Sequence, residues 1–141
     1  MSTFNTESRV IKAPLGKVWA IIKTMNFSFW SLVKSVESSS SSQQIGSTHT
    51  ATFTDGTAQV YRVVEFSEIN NSLTYEIIDS QPAIGVLSAT NRIRVYPVTA
   101  DDTTFVQWTS DFAAQGSQEA VEDAKYKKLE ALSELAKAAE N

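Results

Sequence analysis

From Ser117 to Glu140 the chain carries one unbroken helical pattern, SQEAVEDAKYKKLEALSELAKAAE, after a stretch from Gly46 to Phe112 in which every readable segment is strand. The order along the chain is one strand, two short helices, about six strands and this long helix, a segregation of helix from strand that reads as α+β. No second helical block follows the serine run Ser38 to Ser42, so the run reads as a frayed strand end and loop, and residues 1–141 read as one domain.

The strands are legible from alternation and from their turns. Thr48, Thr50, Thr52 and Thr54 share one face and are expected in solvent, while His49, Ala51 and Phe53 share the other and are expected inside. Asp55-Gly56 is a two-residue hairpin signal, and Asn70-Asn71 and Asp101-Asp102 mark further turns. From Leu87 to Val95 the odd positions Leu87, Ala89, Asn91, Ile93 and Val95 form an inward row, and Val106, Trp108, Ser110 and Phe112 form another.

The beginning of the chain differs. Glu7 to Lys12 alternates as a first strand, and Pro14 suits the first turn of a helix whose Val18, Ile21, Ile22 and Met25 fall on one face, with Trp19 at its edge. Phe27 to Val33, carrying Phe29 and Trp30, reads as a second short helix. In the C-terminal helix Val121, Ala124, Leu129, Leu132, Leu135, Ala136 and Ala139 lie on one broad face, but Lys125 and Lys128 fall inside the same arc. Burying unpaired charge is expensive, so the first half of that helix is not expected against a solid core.

Composition narrows function. Twelve basic against sixteen acidic residues, a formal charge of −4, leave no broad positive field for a phosphate backbone or an anionic membrane surface, so no nucleic-acid partner is expected. The absence of cysteine excludes disulfides, thiolate metal sites and cysteine nucleophiles, and the one histidine is too few for the usual zinc sites. No Gly-rich phosphate loop or Gly-x-Ser-x-Gly elbow occurs, and neither a metal nor a cofactor is expected. With no apolar leader and no apolar run long enough to span a bilayer, a cytoplasmic protein is expected.

Ala13-Pro14 followed by Val18-Trp19, then Phe29-Trp30, Ile45-Gly46-Ser47 before a threonine-rich strand, the segment Thr104 to Trp108, and Leu129 to Leu132 occur in one order along nearly the whole chain. In that order they resemble the helix-grip superfamily. It includes the birch-pollen allergen proteins, the lipid-transfer domains related to the steroidogenic acute regulatory protein, and small polyketide-cyclase-like proteins. The resemblance implies a curved seven-stranded antiparallel sheet wrapped around the C-terminal helix, two short helices between the first two strands, and a large apolar cavity between sheet and helix.

On that implied frame the residues expected to meet a ligand are Trp30, His49, Phe53, Tyr61, Tyr75, Leu87, Ala89, Asn91, Trp108, Ser110, Leu129 and Leu132, with Lys125 and Lys128 at the mouth. Trp19 and Trp30 supply bulk where a short helix closes a wide sheet, with Trp30 either packing or facing ligand. Asn91 and Ser110 interrupt apolar rows and need partners, which water or a ligand can supply. His49 stands where many relatives carry arginine; it is either satisfied by a neighbouring hydroxyl, carbonyl or carboxylate, or it contacts ligand. The lysines either snorkel or pair with a ligand oxygen. The leading reading is noncatalytic binding of a small hydrophobic molecule: a lipid, sterol, isoprenoid or polyketide. A cyclase or dehydratase using His49 with Tyr61 or Tyr75 is the alternative, and a filled core with a protein partner is a third.

Overall fold

The computed structural model describes residues 3–82, 89–112 and 118–141 of the chain. Seven strands form one antiparallel sheet: β1 (Thr3–Ile11), β2 (Val33–Ser38), β3 (Thr48–Phe53), β4 (Ala58–Ser67), β5 (Ser72–Gln81), β6 (Ala89–Val98) and β7 (Thr103–Phe112). Helix α1 (Leu15–Ile22) lies between β1 and β2, and α2 (Gln118–Glu140) follows the sheet. The spatial order is β1-β7-β6-β5-β4-β3-β2. Strands β2 to β7 thus run as a meander, and β1 returns to the far edge beside β7.

The turns form where the short polar side chains predict them. Gly56 takes φ 89° in the β3–β4 hairpin, where Phe53 N–H donates to the Thr57 carbonyl at 2.8 Å. Asn71 (φ 51°) and Asp102 (φ 57°) take the left-handed conformation in the β4–β5 and β6–β7 turns, which Asn and Asp tolerate better than other side chains. On β3, His49, Ala51 and Phe53 are buried as the alternation predicts, whereas Thr48, Thr50 and Thr52 are half-buried. Their cross-strand neighbours Arg62, Val60 and Ala58 cover part of that outer face.

Pro14 caps α1 with an extended backbone, φ −64° and ψ 152°, and Val18, Trp19 and Ile22 are buried. Trp19 is therefore inside the packed face and not at its edge. Its indole N–H donates to Glu68 Oε1 at 2.9 Å, tying α1 to the end of the β4–β5 hairpin. The second short helix expected over Phe27 to Val33 does not form. Met25 (φ 58°) and Phe27 (φ 48°) are left-handed, and Asn26 Oδ1 accepts the Ser28 N–H at 3.0 Å, a local bond that competes with helix. Two successive four-residue turns follow, Trp30 N–H to the Phe27 carbonyl and Val33 N–H to the Trp30 carbonyl, each 3.0 Å.

Helix α2 buries Lys128, Ala131, Leu132, Leu135, Ala136 and Ala139, and packs mainly along β1. Leu129, expected on that face, is 40% exposed, and Lys125 is exposed as well. At about 100° per residue Lys128 stands at the centre of the buried arc, so Leu129, one step on, falls past its edge. The far end of α2 docks on the β1–α1 junction, where the Lys12 N–H donates to Glu140 Oε2 at 2.9 Å.

Candidate functional site

The strand registers order the inner face of the sheet into rows. One runs Asn5, Ser110, Asn91, Tyr75, Val63 across β1, β7, β6, β5 and β4. A second runs Phe112, Ala89, Ile77, Tyr61, His49, Ser38, ending on edge strand β2. A third, on the other side of the first, holds Trp108, Ile93 and Leu73. Period-two alternation sets these rows, because inward residues of paired strands stand side by side.

The first row is polar along most of its length, and α2 adds to it. Lys128 Nζ donates to Asn5 Oδ1 at 2.6 Å and to the Ala124 carbonyl at 3.3 Å, while Asn5 Nδ2 donates to the Val121 carbonyl at 3.1 Å. Next in the row, the Ser110 hydroxyl donates to Asn91 Oδ1, and both residues are buried. Burial lowers the Lys128 amine to about 8, an effect that the carboxylate of Glu7 partly offsets. Asn5 and Glu7 were not singled out in the sequence, although both lie in phase with the inward-facing Ile11.

Beside this row stands a cluster of aromatic rings. Phe27 enters from the turn after α1 and meets Trp30, Tyr61, Tyr75 and Trp108 at centroid distances of 6.2, 5.8, 6.1 and 6.2 Å. Trp30 packs edge-on against Phe53 at 5.8 Å, and Tyr61 lies 5.0 Å from Tyr75. Burial raises both tyrosine hydroxyls well above their usual range, and Tyr61 donates to Gln59 Oε1 at 2.8 Å. Five of the expected ligand-facing residues, Trp30, Phe53, Tyr61, Tyr75 and Trp108, are thus brought together. Phe27, at the centre, was missed, because a phenylalanine within FSFW has no strand or helix phase to aim it.

The indole N–H groups of Trp30 and Trp108 are buried and have no hydrogen-bond acceptor among the described residues. The Tyr75 hydroxyl comes near the Trp108 indole but outside hydrogen-bond geometry.

His49 stands apart from the rings' centre. Its Nδ1 lies 2.7 Å from the Ser38 hydroxyl and its Nε2 2.9 Å from the Ser47 hydroxyl, so both ring nitrogens have partners. Burial holds its pKa below the ordinary histidine value. Over it is an open hollow of about 310 Å³ lined by Lys23, Thr24, Ser38, Ser40, Ser41, Ser42, Gln43 and His49 itself, with none of the aliphatic or aromatic side chains that an apolar ligand chamber uses. Of the remaining expected site residues, Ala89 and Leu132 are buried, Lys125 and Leu129 face outward, and Leu87 lies outside the described residues.

Among the described residues no cluster of three His, Cys, Asp or Glu is placed to hold a metal ion, and no helix is long and apolar enough to cross a membrane. No curated protein matches the chain by sequence. Solved structures do. A protein from Nitrosospira multiformis is 26% identical and superposes with a TM-score of 0.84 over 97% of this chain and 96% of its own. An uncharacterised protein from Bacillus thuringiensis is 20% identical, TM-score 0.85, covering 99% of this chain and 100% of that one. The protein XoxI from Bacillus cereus, also 20% identical with a TM-score of 0.85, covers 99% and 96%. The last two carry the fold alone. The family model described as polyketide cyclase/dehydrase and lipid transport matches residues 5–140, which takes in every strand from β2 to β7, both helices and nearly all of β1, and the chain belongs to that family.

Proposed function

We propose that the protein binds a small hydrophobic molecule, a lipid, sterol, isoprenoid or polyketide-like compound, between the inner face of the sheet and α2, without transforming it. The observation that carries this reading is the polar row Asn5, Ser110, Asn91, with Lys128 of α2 bonded to Asn5, set beside the buried aromatic cluster. A solid core gains little from such groups, since desolvating them costs what their hydrogen bonds return. A ligand with an apolar body and a polar end uses both surfaces, and a few convergent polar groups fix its orientation. Lys125 and Leu129 fall out of the proposed contact set because they face outward.

Proton-transfer chemistry draws less support. His49 has a hydroxyl on each ring nitrogen, and Tyr61 is bonded to Gln59, so neither presents an uncommitted group to the rings. Native mass spectrometry of gently purified protein tests the proposal. Retention of a hydrophobic species at fixed stoichiometry, lost on denaturation, is expected. A bare mass that stays bare after incubation with fatty acids, sterols and aromatic polyketides would overturn it.

A further inference from the structure

Phe27 reaches the centre of the aromatic cluster by an unfavourable route. It is neither a strand nor a helix residue, and both it and Met25 hold left-handed backbone angles, 48° and 58°, that side chains other than Asn, Asp and Gly seldom adopt. Once there, its ring lies nearly parallel to Trp108, at an interplanar angle of 12°, and edge-on to Trp30, Tyr61 and Tyr75. The position is a ring-shaped site with aromatic walls.

What Phe27 cannot supply is a hydrogen-bond acceptor, and the walls ask for two. Buried tryptophan N–H groups nearly always find a partner, yet the indoles of Trp30 and Trp108, 7% and 3% exposed with ring centroids 6.1 Å apart, both lack one among the described residues, the Tyr75 hydroxyl near Trp108 falling outside hydrogen-bond geometry. The one other unpartnered buried side-chain donor among the described residues, Arg94 Nε, belongs to a guanidinium stacked on Tyr96 and is unrelated to these rings.

We infer that Phe27 occupies the place of a ligand's aromatic ring, and that the ligand is a planar aromatic molecule carrying neutral oxygen acceptors for the Trp30 and Trp108 indoles. This rests on the proposed hydrophobic-ligand reading and narrows it: an aliphatic chain fills space but leaves both donors unpaired. Entry requires Phe27 to leave, and relaxation of the two left-handed residues offsets part of the lost ring packing.

Two probes of nearly equal shape separate the possibilities, 1-acetylnaphthalene with a carbonyl acceptor and 1-ethylnaphthalene without one. Each is titrated into the wild-type protein, Phe27→Ala and the milder Phe27→Leu, following the indole ¹⁵N–¹H signals of Trp30 and Trp108. The ketone is expected to bind on the order of tenfold tighter than the hydrocarbon, since leaving a buried donor unmet costs about that much. It is also expected to shift at least one indole proton downfield and to bind either Phe27 variant more tightly than wild type. Trp30→Phe or Trp108→Phe should shrink the preference for the ketone. Equal affinity for the two probes, unmoved indole signals, or no gain in both Phe27 variants would each overturn the inference. Palmitate in the same titration keeps the two readings apart. If it binds with the indoles unmoved while the ketone does not bind, the inference fails and hydrophobic binding stands; if nothing binds, both fail.

Discussion

Lys128 stands at the centre of the buried face of α2, where its amine meets Asn5, and burial lowers its pKa from 10.5 to about 8. Between those values the unfolded chain holds a proton that the folded chain has released, so this residue's contribution to stability rises with pH through the window. Below pH 8 the folded protein bears the full cost of desolvating the charge. Tyr61 and Tyr75 act in the opposite sense, since their raised pKa values lower stability once the unfolded phenols ionise near pH 10. Both tyrosines remain in a Lys128→Met variant, so their effect cancels in the difference. Urea denaturation at pH 7 and pH 10 should show that difference moving in favour of wild type by about 2 kcal/mol; a flat difference would mean that the amine is solvated. At this scale alternation revealed that His49 points inward, but not that Ser38 meets one of its nitrogens, because the serine run carries no phase; Ser47, which meets the other, shares the phase of His49 from two residues before it.

At the scale of elements the lesson concerns spacing. Phe27, Trp30 and Val33 are three apart, which fits a short helix and equally fits the two consecutive turns that form. Only the left-handed angles at Met25 and Phe27 decide between them, and nothing in those two side chains announces such angles. On α2 the ambiguity was one of rotation. Counting Leu129 into the apolar face widened the arc at one edge, whereas the buried face is centred on Lys128 and leaves Leu129 outside. The corrected face makes unequal demands on three leucines. Leu132→Ala and Leu135→Ala each remove a fully buried side chain and should cost about 2 to 5 kcal/mol. Leu129→Ala should cost below about 1 kcal/mol, as an exposed position does. Chemical denaturation of the three variants reads this directly, and a large loss at Leu129 would place the helix in a different rotation.

Across the whole molecule, the order of strands and of the first and last helices was legible because it needs only periodicity and turn residues, whereas the antiparallel sheet wrapped around one helix came from the family resemblance. How far the interior is filled was not legible. Alternation aims Tyr61, Tyr75 and Trp108 inward, but whether they enclose space depends on what enters from outside the sheet, and that is Phe27. The same contrast predicts how the molecule opens. Strands β5, β6 and β7 are paired on both sides, and the inner rows of β6 and β7 are buried, so their amides exchange only when the protein unfolds. Strand β2 is an edge with no fully buried residue, and residues 23–32 lie outside any ladder, held by turn bonds, side-chain packing and three scattered long-range bonds, from Thr54 N–H to the Leu32 carbonyl, from Ser31 N–H to Glu134 and from the Ser42 hydroxyl to the Lys23 carbonyl. Hydrogen exchange should therefore release β2 and residues 23–32 at least about tenfold faster than β6 and β7, by local opening that leaves the sheet intact. That difference is also what the departure of Phe27 requires. If residues 23–32 exchanged as slowly as β6, the ring could leave only with the collapse of the whole core, and entry of a ligand beside Trp30 and Trp108 would be closed in the folded protein.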